Sequence, residues 1–150
     1  MYIRKCLPEN FDEVVALEEI LDAGWAEESV RRERDRPLGL QLVTVGDSGG
    51  PVIGWCCGFM VGAEAELLRI AVAPRYRLKG VASALLVQFE RECVEQQVSS
   101  VFLEVAEKNG AAQRLYEKFF YNEVGRRKDY YSNPVDNALV MNKIFPTKPS

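Results

Sequence analysis

Histidine is absent from all 150 residues. That absence removes a Ser-His-Asp triad, a histidine-paired cysteine nucleophile and imidazole metal ligation together. Acid–base chemistry is left to Glu, Asp, Tyr, Lys, Cys or water. No apolar run approaches the roughly 20 residues that cross a bilayer. There is no basic surplus either: 19 Lys and Arg against 22 Asp and Glu leave a net charge of −3. A cytoplasmic protein with neither a nucleic-acid nor a membrane partner is the expectation. Cysteine is sparse. Cys6, Cys56, Cys57 and Cys93 show no paired metal spacing, and two of them are adjacent in an apolar segment. They read as buried free thiols of a reducing compartment, and no metal is expected.

What is present is enough apolar residue, 47% of the chain, for one domain with a sizeable core. The expected boundaries are residues 1–145, with 146–150 a disordered tail. The stretch from Leu67 to Leu86 organises the rest. Its apolar run ends at Pro74, which suits a strand buried on both faces. Arg75, Arg77 and Lys79 then surround a Gly80-Val81-Ala82 turn, and Leu85, Leu86 and Phe89 begin an amphipathic helix. Unpaired amides, the helix dipole and nearby cations at such a start hold a phosphate, or they are an ordinary strand-to-helix turn with solvated charges.

The other elements follow from periodicity and turn chemistry. Tyr2 to Cys6 reads as a strand, and Asn10 with Glu13 as a capping box opening a helix that Gly24 ends. Trp25 and the charged run Glu27 to Arg36 form a second, less regular helix closed by Pro37, its arginines and acids a solvated face. Strands at Leu40 to Val45, Val52 to Val61 and Glu64 to Ala73 form an antiparallel meander. The helix after Gly80 leads to a strand at Val101 to Val105, parallel to the one before it. Asn109 caps a helix through Ala112, Leu115, Tyr116 and Phe119, and two antiparallel strands, Asn122 to Tyr131 and Asp136 to Phe145, close the chain. The order β α α β β β α β α β β predicts a mixed α/β sheet with helices on its faces.

Taken singly, the candidate functional residues have bland readings. Glu104 in its apolar strand is a base or the partner of a neighbouring cation. Tyr116 is a proton donor or a core residue, Asn109 a ligand contact or a helix cap, and Trp25 a packing residue or part of a site. Their joint placement near one sheet edge, beside the anion loop, raises them.

The segment Arg77-Leu-Lys-Gly80-Val-Ala82 resembles the Gln/Arg-x-x-Gly-x-Gly/Ala signature of the GNAT acetyltransferase superfamily. The stretches from Ala65 to Val72, Phe102 to Val105, Leu115 to Glu117, Arg126 to Tyr131 and Asp136 to Met141 resemble its RimI-type branch, the ribosomal-protein alanine N-acetyltransferases. The resemblance is dense from about Ala65 to Met141. It implies a mostly antiparallel seven-stranded sheet flanked by about four helices, with acetyl-CoA as cosubstrate and a protein N-terminus, that of a ribosomal protein, as acceptor. Ile70, Ala71 and Val72 would offer strand backbone to the pantetheine arm and thioester. Arg77, Leu78, Lys79, Gly80, Val81, Ala82 and Ser83 would wrap the pyrophosphate, and Asn109 would lie near the pantetheine. Glu104 matches the general base and Tyr116 the general acid, while Trp25, Tyr130 and Tyr131 would meet the acceptor. The chain departs from the family pattern at Phe119-Phe120-Tyr121, where Gly-Phe is usual, and at Ala23-Gly24, where Phe-Pro precedes the tryptophan. The alternatives are a GNAT enzyme for a lysine, polyamine or other small amine, and a non-catalytic CoA-binding module.

Overall fold

The computed structural model describes residues 1–146. Seven strands form one sheet: β1 (Tyr2–Lys5), β2 (Gly39–Val45), β3 (Val52–Val61), β4 (Glu64–Val72), β5 (Ser100–Ala106), β6 (Asn122–Tyr131) and β7 (Asp136–Ile144). Four helices accompany them: α1 (Phe11–Glu19), α2 (Glu27–Arg32), α3 (Val81–Glu95) and α4 (Gly110–Lys118). The strand order is β1-β2-β3-β4-β5-β7-β6. Every neighbouring pair is antiparallel except β4 and β5, which are parallel because α3 carries the chain back across the sheet. The mixed, mostly antiparallel sheet with four helices is the architecture expected from the sequence. The expected tail at residues 146–150 lies outside the described residues apart from Pro146, which is exposed.

Two apolar layers sandwich the sheet. Val81, Leu85, Leu86, Phe89 and Cys93 of α3 pack on one face with Cys56, Leu67, Val101 and Leu103. Phe11, Val14, Val15 and Leu17 of α1, with Val30 of α2, pack on the other with Val43, Trp55, Cys57 and Ala71. Period-two alternation sends the adjacent Cys56 and Cys57 to opposite layers, where both are fully buried free thiols. Cys93 is buried as well and Cys6 half-buried.

Two features of β4 decide the shape of its far end. The β4–β5 pairing runs only from Glu64↔Ser100 to Leu67↔Leu103, after which the two strands have no ladder between them. At the same level the β3–β4 register passes from Cys57↔Arg69 to Gly58↔Leu67, so Leu68 is an extra residue, a β-bulge. The bulge reverses the alternation: Leu67, Ile70 and Val72 face the α3 layer, and Ala71 faces the α1/α2 layer. Arg69 is thereby turned onto the α1/α2 face. There its guanidinium meets Glu18, whose side chain is 0% exposed, through Nε at 3.0 Å and NH2 at 2.6 Å. Glu18 also accepts the Trp55 indole N–H at 2.7 Å and the Trp25 backbone N–H at 3.0 Å. A buried carboxylate with four donors is fully satisfied; removing Arg69 alone would leave its charge uncompensated at about 3–5 kcal/mol.

Several local expectations are corrected. Asn10 holds the N-cap position of α1 and its amide donates to Glu13, but its side-chain oxygen makes no bond to the helix backbone and instead accepts from Leu7 N–H and from Arg4 across a preceding 3-10 turn. α1 ends at Glu19, before Gly24. Gly24 instead permits close approach, because a Cβ there would stand 1.8 Å from the Glu18 carbonyl oxygen. In the charged run, Glu33 is buried and held by Arg36 through two 2.6 Å hydrogen bonds, so this part of the run is not a solvated face.

The turn after α4 keeps the glycine-type geometry without the glycine. Phe120 adopts φ +71, Phe120 N–H donates to Glu117 O and Tyr121 N–H to Tyr116 O, both at 3.0 Å, and the Tyr116 and Tyr121 rings pack 5.7 Å apart. This is a Schellman motif with its apolar contact. The Phe120 side chain is 76% exposed and gains little there. Phe120→Gly is expected to stabilise the protein by about 0.5–1 kcal/mol, the left-handed strain removed less the extra freedom of the unfolded chain. Urea unfolding would show a raised midpoint at unchanged slope.

Candidate active site

Beyond Leu67 and Leu103, β4 and β5 each present an unpaired edge to the other. Ala73 N–H donates to Ile53 O at 2.8 Å, so by alternation Ala71 also directs its backbone groups to β3, while Ile70 and Val72 direct theirs into the gap. Two clefts meet there. One, of about 530 Å³, is lined by Ile70, Ala71, Val72, Arg77, Leu78, Gly80, Val81, Ala82 and Ser83, with Asn109 and Leu115. The other, of about 510 Å³, lies among Trp25, Glu66, Glu104, Tyr130, Tyr131 and Asp136. Ala23, Arg69, Ile70, Asn109, Ala112 and Tyr116 line both and form the junction.

The first cleft ends on the start of α3. Gly80 holds φ +81 at the N-cap, and no side chain caps the helix. The first intrahelical bond is Ala84 N–H to Gly80 O, which leaves the amides of Val81, Ala82 and Ser83 without helical partners. These amides fit a pyrophosphate, and the free edge of β4 fits an arm that carries its own amides. Lys79 is the exception among the expected loop residues: it does not line the cleft, and its ammonium lies over the Tyr76 ring at 5.8 Å. Asn109 is a helix cap, accepting from Ala112 N–H at 3.1 Å, and also lines both clefts. The helix-cap reading is the one its hydrogen bond meets.

In the second cleft the Arg127 guanidinium reaches Glu104 Oε1 at 3.0 Å. Hydrogen bonding to Glu104, and its charge, hold the Tyr130 phenol above the ordinary value. Burial, followed by Glu104, pushes Tyr131 up to about 12. The sequence reading missed Glu66, a carboxyl raised by burial and by the neighbouring Glu104. Only the strand pairing singles it out: Glu66 stands one register step before the end of the parallel ladder, where the gap opens. The hairpin that bears the tyrosines is tied down. Asp136 accepts the Lys108 amide at 3.0 Å, and Asn137 bridges Asp129 N–H and Glu107.

Tyr116 stands between the clefts, 8% exposed, with no hydrogen-bond partner among the described residues. Burial raises its phenol well above the ordinary range, and the Arg69 charge pulls the other way. Its hydroxyl is therefore protonated throughout the neutral range.

The acetyltransferase (GNAT) family model matches residues 9–120. The chain belongs to the GNAT acetyltransferase family. Acetyl-CoA is the cosubstrate of this chemistry, and the chain is an acetyl-CoA-dependent N-acetyltransferase. The ribosomal protein bS18-alanine N-acetyltransferase of Haemophilus influenzae is 37% identical over 110 residues, 71% of this chain and 72% of that protein. The Escherichia coli K12 protein of the same name is 32% identical over 120 residues, 78% of each. The crystal structure of the ribosomal-protein-S18-alanine N-acetyltransferase from Escherichia coli superposes with a TM-score of 0.89 at 24% identity, over 99% of this chain and 96% of that one. That likeness is one of fold. No helix among the described residues is long and apolar enough to cross a membrane.

A side chain at Gly80 would meet no neighbour but would be forced into the left-handed region. Gly80→Val is therefore expected to displace the amides of α3 and to weaken acetyl-CoA binding by roughly tenfold or more, from about 1–2 kcal/mol of strain. Titration calorimetry with acetyl-CoA would measure it, and an unchanged Kd would remove this loop from the phosphate site.

Proposed function

We propose that the chain transfers an acetyl group directly to a protein N-terminal α-amine, the N-terminal alanine of a small-subunit ribosomal protein, and does so in the cytoplasm as one domain, residues 1–145. The observation that carries the reading is the meeting of the two clefts at Tyr116. A donor held in one cleft and an amine held in the other react without a covalent enzyme intermediate, because holding them together supplies much of the rate. The names of the relatives supply the acceptor.

The chemistry asked of the chain is modest. A peptide α-amine has a pKa of about 7.7–8.0, so much of it is neutral near pH 7.5, whereas a lysine near 10.4 needs more help. Glu104, with Glu66 beside it, removes the amine proton directly or through water. Acetyl-CoA supplies the activated thioester. Ile70 and Val72 backbone groups at the open edge of β4 orient its carbonyl, and the Tyr116 hydroxyl donates to the departing sulfur. Trp25 on one side and Tyr130 and Tyr131 on the other wall the acceptor's path. Neither nucleic acid nor membrane has a part in this reading.

The acceptor is tested by mass spectrometry after incubation of the protein with acetyl-CoA and three amines. These are a peptide beginning Ala-Arg, the same peptide blocked at its amine but carrying a free lysine, and a polyamine. Product on the first alone is expected; product only on the others would overturn the acceptor, and acetyl-CoA binding without product would point to a binding module. Tyr116→Phe is expected to lower kcat by about 10²–10³, as for loss of one positioned donor, with little change in acetyl-CoA Kd. Unchanged turnover would remove Tyr116 as the acid.

A further inference from the structure

Arg69 is unexplained by this mechanism, yet it lines both clefts where they meet. The Leu68 bulge sets it on the acceptor face. Its Nε and NH2 edge is taken by Glu18, and the opposite edge, NH1, has no partner among the described residues. The side chain remains 22% exposed, and the open space beside it is the junction. Tyr116 lines the same junction as Arg69.

We propose that Arg69 is a specificity-determining residue whose NH1 donates to the first peptide carbonyl of the acceptor, and that Glu18 is the positioning residue that aims it. The inference rests on the proposed α-amine acceptor and deepens it. In a protein N-terminus that carbonyl oxygen lies about 3 Å from the reacting nitrogen by covalent geometry. A lysine ε-amine or a polyamine has only methylenes there. An isolated arginine at this place would repel an arriving ammonium; paired with Glu18 it adds a donor with no net charge. The planar fork makes this possible, since one edge binds the carboxylate while the other stays open. Arg69 thus favours an α-amine over a side-chain amine.

The test compares kcat/KM for a peptide beginning with alanine and for the same peptide with its first peptide bond replaced by a trans-alkene, which keeps the shape and removes the carbonyl. The parent protein, R69Q and E18Q/R69Q are assayed; the double variant leaves no orphaned buried charge if R69Q alone is unstable. The parent is expected to prefer the carbonyl-bearing peptide by roughly ten- to hundredfold, the worth of one hydrogen bond to a charged group. The folded variants are expected to lose that preference. A parent without the preference, or a folded variant that keeps it, overturns the Arg69 assignment and leaves the proposed function standing. A parent that acetylates neither peptide but does acetylate a polyamine overturns the α-amine acceptor and this inference with it.

Discussion

The parting of β4 from β5 is the constraint on which the site depends. Four residue pairs hold the parallel ladder, and beyond Leu67 and Leu103 the sheet is divided along its interior. Backbone groups left without partners in a sheet are costly unless something supplies them, so a gap of this kind is an unfinished ladder. An extended arm bearing its own amides completes it in the manner of an added strand. The antiparallel ladders on both sides keep the gap open: β4 is paired along its length to β3, and β5 to β7.

Glu18 joins the parts that must move together if they move at all. Its carboxylate gathers the Trp25 amide from the α1–α2 connection, the Trp55 indole from β3 and the Arg69 guanidinium from β4. The Trp25 wall of the second cleft is thus fixed to the bulged strand at one buried point, and the Trp25 and Trp55 rings meet edge to face at 5.9 Å. Gly24 lets the connection pass close enough to the α1 backbone for this to form. On the far side, Asp136 and Asn137 fix the tyrosine hairpin to the β5–α4 connection in the same way.

Much of this was legible in the sequence. Near-continuous apolar runs bounded by Gly62 and Pro74 mark β3 and β4, and the basic turn at Gly80 marks the helix start, because local chemistry decides those features. The joint recurrence of Glu104, Asn109 and Tyr116 near one edge was readable once the order of elements was. What was not readable depends on long-range pairing. The bulge at Leu68 is visible only as a mismatch between β3 and β4, and with strict alternation Arg69 would have pointed to the other layer. Buried Glu18 finds its arginine 51 residues away, which no local pattern announces, whereas buried Glu33 has a local partner three residues on, hidden in a charged run that composition reads as a solvated face. Asn10 satisfied the capping pattern but found a different donor, Leu7, to serve. At Phe120 the local rule was broken and the fold prevailed: the Schellman hydrogen bonds and the Tyr116–Tyr121 contact hold a phenylalanine where glycine is easier.

The two clefts share only the residues of their junction, and each opens through its own lining. On the proposed function, an acceptor that presents a short free terminus occupies one cleft and leaves the other to the donor. The donor's seat and the acceptor's seat then meet at the junction alone, so that exchange of coenzyme need not wait for the acceptor to leave.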